Sequence, residues 1–120
     1  MLYEVAQSYL DNAVKALYPD ICVQDNLINK PSSLPCVAIE VDGSRLQADG
    51  GGSSFTGEHE FSVWVIVEYG GSFTEARSTM MQMVENIIGI ERFYCEKAEY
   101  GNDIVHGTKC VLARLSGAVA

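Results

Sequence analysis

The stretch from Glu58 to Tyr69 constrains this chain more than any other. Phe61, Val63, Val65 and Val67 fall on one face of it, and Ser62, Trp64, Ile66 and Glu68 on the other. A period of two belongs to a strand, in which successive side chains leave opposite faces. The second face is unusual, because Trp64 and Ile66 are large and apolar where a one-sided sheet would meet water. Something has to cover them, either a helix of the same chain or a contact between copies.

Two amphipathic helices flank this part of the chain. Leu2, Val5, Ala6, Tyr9, Leu10, Ala13, Val14 and Leu17 follow the i, i+3, i+4, i+7 rule, with Glu4, Gln7, Ser8, Asp11, Asn12 and Lys15 on the opposite side. Pro19 ends that helix, since the residue before a proline is pushed out of helical geometry. The second helix runs from Ser72 to Gly89. Ser72 and Glu75 make a capping box, Ala76, Met80, Met83, Val84, Ile87 and Ile88 form the apolar stripe, and Gly89 suits a left-handed C-terminal cap.

The remaining segments read as strands and loops. Ile21 to Gln24 is a short strand, and Asp25 to Leu34 a surface loop rich in Ser and Pro. From Cys36 the pattern alternates, Val37, Ile39 and Val41 against Ala38, Glu40 and Asp42. Asp42-Gly43 then closes a tight hairpin or forms a bulge within a longer strand. Asp49 to Gly57 is a flexible loop, with Gly50, Gly51, Gly52, Ser53 and Ser54 in succession. Two final strands, Glu91 to Glu99 and Ile104 to Leu115, meet at a Gly101-Asn102-Asp103 turn. The expected architecture is a single α+β domain: a mainly antiparallel sheet of four to five strands with two helices on one side, in the order α-β-β-β-α-β-β.

Charge narrows the function classes. Sixteen Asp and Glu against eight Lys and Arg leave a net charge of −8 in 120 residues. No two of the basic residues are adjacent, so the basic patch that holds nucleic acid phosphates is missing. The longest unbroken apolar run, Val63 to Val67, is far too short for a membrane span. Glu4 and Asp11 precede the first positive charge, Lys15, which is not how a secretory signal opens. Cys22, Cys36, Cys95 and Cys110 are widely spaced and read as reduced thiols of a cytoplasmic protein, with a single disulfide as the alternative.

A search for chemistry yields no catalytic, cofactor or metal site. His59 and His106 are the two histidines, and a Cys110–His106 pair on one strand is better read as strand-edge packing. Gly50 to Gly52 has no Lys nearby to reach a phosphate. Glu58, His59 and Glu60 are strand neighbours that point alternately, and the cysteines match no zinc spacing.

The amphipathic first helix, Leu34-Pro35-Cys36-Val37-Ala38-Ile39-Glu40-Val41-Asp42, the glycine-rich loop, the strand Glu60 to Val67, the helix holding Glu75-Ala76-Arg77 and the final hairpin form one pattern over most of the chain. This pattern resembles the tail terminator and head–tail neck (tail completion) proteins of long-tailed bacteriophages and prophages. The resemblance implies a structural virion protein without catalysis, assembled in the host cytoplasm into a ring, commonly a hexamer. It would contact other tail or neck proteins, and DNA would pass its acidic lumen without binding. On that reading Trp64, Ile66 and Phe55 are interface candidates, and Asp49 to Ser54 is a loop ordered by a partner. The tail Ser116 to Ala120 signals no specific contact. Two other classes suit the composition: a small acidic inhibitor, of immunity or antitoxin type, that covers a basic enzyme, and a small ligand-binding or catalytic domain.

Overall fold

The computed structural model describes residues 3–48 and 55–120. Along the chain run α1 (Tyr3–Leu17), β1 (Cys22–Gln24), β2 (Cys36–Ala48), β3 (Phe55–Glu68), α2 (Phe73–Ile88), β4 (Phe93–Val105) and β5 (Thr108–Val119). This is the expected α+β order. The five strands form one sheet in the order β1-β2-β3-β5-β4. It is mixed rather than purely antiparallel, because β1 lies parallel to β2 while every other pairing is antiparallel.

Both helices pack on the same face of the sheet. Ala6, Leu10 and Val14 of α1 and Met80, Val84 and Ile87 of α2 share one core with Val37, Ile39, Phe61, Val63, Val65, Val111, Ala113 and Leu115. Those of α1, α2, β2 and β3 are the residues that the two periodicities assign to the inner stripe and the inner face. Ser72 caps α2, its Oγ accepting from the Glu75 N–H at 3.2 Å. Gly89 departs from expectation, since its φ of −75° is right-handed, and the left-handed residue of this connection is Arg92. Arg92 is held there by the last residue: its Nε donates to the Ala120 carbonyl at 2.7 Å, and its own carbonyl accepts from the Ala120 N–H. The Arg92 guanidinium also lies over the Tyr9 ring at 5.7 Å.

Two turn and strand limits differ from the sequence reading, and of the two forms open for Asp42-Gly43 one is realised. Asp42-Gly43 is a bulge, with Val41 opposite Phe61 and Gly43 opposite Glu60, so that Asp42 is the extra residue. Phe55, Thr56 and Gly57 belong to β3 rather than to a loop, and the pairing with β2 runs out to Ala48 opposite Phe55. Gly101, Asn102 and Asp103 lie inside β4, paired with Leu112, Val111 and Cys110. The turn is instead at His106 and Gly107, with φ of 47° and 83°.

The reason is the position of β4 at the edge of the sheet. Turn-forming residues cost little in an edge strand that packs few side chains, and the turn falls where a tertiary contact holds it. His106 Nε2 lies 3.2 Å from the Leu27 carbonyl. Alanine at Gly107 should therefore lower stability by about 1 kcal/mol, through its left-handed backbone. Alanine at Gly101, where an added Cβ meets nothing within 4 Å, should be tolerated. Thermal melts of both variants check this, and the reverse order would return the turn to residues 101–103.

Candidate assembly surface

The helix-free face of the sheet divides into a covered half and an open half. Leu27 follows β1 at one edge of the sheet, yet its carbonyl meets His106 in the β4–β5 turn at the other. The segment after β1 therefore spans the width of the sheet. Along this end Cys36, Ile66 and Cys110 of the helix-free face are fully buried. The cover that Ile66 needs is thus supplied within the chain, and Ile66 leaves no surface for a neighbour.

Trp64 lies one alternate position along β3, between Ala38 of β2 and Arg114 of β5, and is half-buried. The Arg114 guanidinium sits over its indole, 5.4 Å from the ring centroid, where the negative face of the π-system attracts a cation. Arg114 is itself tied down. Its Nε donates to Ser62 Oγ at 2.9 Å, and Ser62 donates in turn to Asp42 Oδ2 at 2.5 Å. Arg114 Nη2 and Asp42 Oδ2 are 3.8 Å apart. The bulge is what allows this: an extra residue turns the strand locally and re-aims its side chain. A run of Trp64, Arg114, Ser62 and Asp42 thus crosses three strands on the open face. Trp64 Nε1 is buried and lacks an acceptor among the described residues.

Next to Trp64 the open face dips into a hollow of about 250 Å³ lined by Glu99, Gly101, Asp103 and Leu112 among others. Its outer wall is β4, whose outer edge pairs with no strand among the described residues. Tyr94, Tyr100 and Ile104 of β4 are exposed. At the opposite edge, β1 covers only Cys36 to Ala38 of β2. The next carbonyl, that of Ile39, is met by Gln7 Nε2 at 3.1 Å.

A second projecting feature is the β2–β3 hairpin. Pairing of β3 with β5 begins only at His59 opposite Val119. Beyond that point residues 45–48 pair with residues 55–58 alone, as a two-stranded arm. The molecule measures 58 Å along its longest axis, against 26 and 25 Å across. Of the interface candidates read from the sequence, Phe55 is the first residue of β3 in this arm. The partner-loop residues Asp49, Gly50, Gly51, Gly52, Ser53 and Ser54 lie outside the described residues.

The chemical candidates have separate partners, the Leu27 carbonyl for His106 and the Thr108 carbonyl for Cys110. His106 is in the β4–β5 turn, while Cys110 is buried and its Sγ donates to the Thr108 carbonyl at 3.5 Å. Burial, with Glu68 nearby, pushes the Cys110 thiol up, away from the thiolate form that a nucleophile needs. Among the described residues no group of three or more His, Cys, Asp and Glu is placed to hold a metal ion. No described helix is long and apolar enough to cross a membrane. The most spacious cleft described, about 470 Å³, lies between the end of α1, Leu34-Pro35 and α2, and its walls are mainly apolar.

No family model and no curated protein matches this chain. Among solved structures, it is similar to a chain in the virion of a native gene transfer agent particle. The TM-score is 0.51 at 14% sequence identity, over 94% of this chain and 92% of that chain. At that identity the likeness is one of fold. The likeness runs over nearly all of the α-β-β-β-α-β-β chain rather than over a fragment of it.

Proposed function

We propose that this chain is a structural subunit of a phage-type virion, a tail terminator or neck protein that closes into a ring through its own copies. The observation that supports this reading most is the end-to-end fold likeness to a chain of the gene transfer agent virion. It agrees with the sequence pattern that resembles tail terminator proteins.

The surfaces described above fit such work. A two-stranded arm is marginal by itself in water, so the projecting part of β2 and β3 gains most from a neighbour that packs on it. The outer edge of β4, which pairs with no strand among the described residues, offers backbone groups to a second copy or to a tube subunit. A head-to-tail contact between different surfaces of identical subunits closes a ring when the rotation allows. With a net charge of −8, a lumen lined by this chain repels phosphates, and DNA slides through without sticking. Trp64, half-buried on the open face beside the hollow that β4 walls, is our candidate anchor for a neighbour.

Light scattering over a range of protein and salt concentrations tests the reading. A closed oligomer is expected at high concentration, visible as rings by negative-stain electron microscopy. Trp64→Ala should shift the mass toward monomer, and a lower melting temperature with unchanged assembly would make Trp64 a packing residue instead. A chain that stays monomeric alone and with tail-tube subunits, but captures a basic enzyme tightly, would replace the ring with the acidic inhibitor.

A further inference from the structure

Two thiols meet where β1 joins the sheet. Cys22 and Cys36 are direct partners in the parallel register of β1 and β2, and their Sγ atoms are 3.4 Å apart. Adjacent strands lie about 4.8 Å apart, within the Cα separation that a disulfide accepts. Both cysteines are reduced here, with the Cys36 thiol donating to Cys22.

Their surroundings give them different roles. Cys22 is partly exposed, and Ser32 Oγ donates to its sulfur at 3.4 Å. Burial pushes the Cys22 thiol up, but hydrogen bonds from the Ser32 side chain, Cys36 and the Ser32 and Ser33 backbone outweigh it, leaving its pKa below the usual thiol value. Cys36 is fully buried, and burial with Cys22 beside it pushes its thiol up to about 12. An accessible sulfur with thiolate character next to a shielded one is the arrangement of an attacking and a resolving thiol. The other two cysteines differ: Cys95 and Cys110 donate to the carbonyls of Lys97 and Thr108, and burial raises both thiols.

We propose that Cys22 and Cys36 form a dithiol site that a low-molecular-weight disulfide, such as oxidised glutathione, converts to an intramolecular cross-link. The Cys22 thiolate attacks one sulfur of oxidised glutathione; that S–S bond breaks, a Cys22–glutathione disulfide forms and one glutathione thiolate leaves. Cys36 then loses its proton and attacks Cys22 Sγ, forming the Cys22–Cys36 bond and releasing the second glutathione thiolate. The protons given up by the two cysteines balance those taken up by the two glutathiones, and two electrons pass from protein to glutathione. The product fastens β1, which is held by only three residue pairs, and closes the connection through residues 25–35. It shortens the loop available to the unfolded chain and so favours the folded one.

The test incubates the full chain in mixtures of oxidised and reduced glutathione, then measures intact mass, maps peptides after alkylation and records thermal melts. The expected product has lost two hydrogen atoms, links Cys22 to Cys36 and leaves Cys95 and Cys110 alkylated. Its melting temperature should rise by about 5–10 °C. In Cys36→Ala, which keeps the buried site apolar, the reaction should stop at a glutathione adduct on Cys22. In Cys22→Ser, Cys36 should stay unmodified while the protein is folded. A wild-type chain that ends as a stable Cys22 adduct, pairs another cysteine first, or reacts only once unfolded would overturn the proposal.

Discussion

Alanine at Gly117 is expected to destabilise the fold by roughly 3 kcal/mol or more, although it adds a single methyl group. A Cβ there would lie 2.5 Å from the Tyr94 carbonyl oxygen and 2.9 Å from both Cys95 Cα and the Phe93 ring. Two of those three obstacles are backbone, which no rotamer change can clear. Their closeness traces to the bulge in β4, where the pairing with β5 shifts between Cys95 and Lys97. The bulged strand closes over β5 at this point, and only a residue without a side chain leaves room. Thermal denaturation of Gly117→Ala against Gly101→Ala isolates the effect, because Gly101 shares the hairpin but has open space around it. A melting point about 10 °C or more below wild type is expected for Gly117→Ala and little change for the control. Equal stability of the two would mean that β4 does not bulge over Gly117.

Phe61→Ala should cost about 3–5 kcal/mol. Phe61 is among the largest fully buried side chains and lies on the helix-covered face of β3, opposite Val41 and Gly117. Its removal leaves a cavity that cannot readily collapse, because strands on both sides and helices above hold the walls apart. Val41→Ala makes the comparison, since Val41 is 38% exposed and has less to lose. Chemical denaturation should find Phe61→Ala several-fold more damaging. Similar losses would place the core elsewhere on the sheet.

The two substitutions also mark what was and was not legible in the amino-acid order. Phe61 was legible: its place on the inner face of a strand follows from alternation with Val63, Val65 and Val67. The same holds for Leu10 and Met80, which follow from helical periodicity, and for the Ser72 cap, whose bond is local. Gly117 was not legible. It sits in a tail of small residues that carries no local signal, yet β5 runs through it to Val119 and Ala120 is bound to Arg92.

The assembly surface divides in the same way. That Trp64 and Ile66 require cover was evident from their positions in β3, but the source of that cover was not. Ile66 is buried within the chain, at the end of the sheet spanned by the segment after β1, and Trp64 stays partly open beneath Arg114, a residue fifty positions away. The ion pair of Arg114 with Asp42 depends further on a bulge whose register is set by β3.

The sequence alone determined the elements, their order and the inner faces of the two helices, β2 and β3, because periodicity, capping and proline act between residues a few positions apart. Only the tertiary structure decided the β4–β5 turn at His106, the need for glycine at 117, the meeting of Cys22 with Cys36 and the half of the sheet left open. Each of these arises from contact between segments distant in the chain, where space and backbone pairing outweigh local preference.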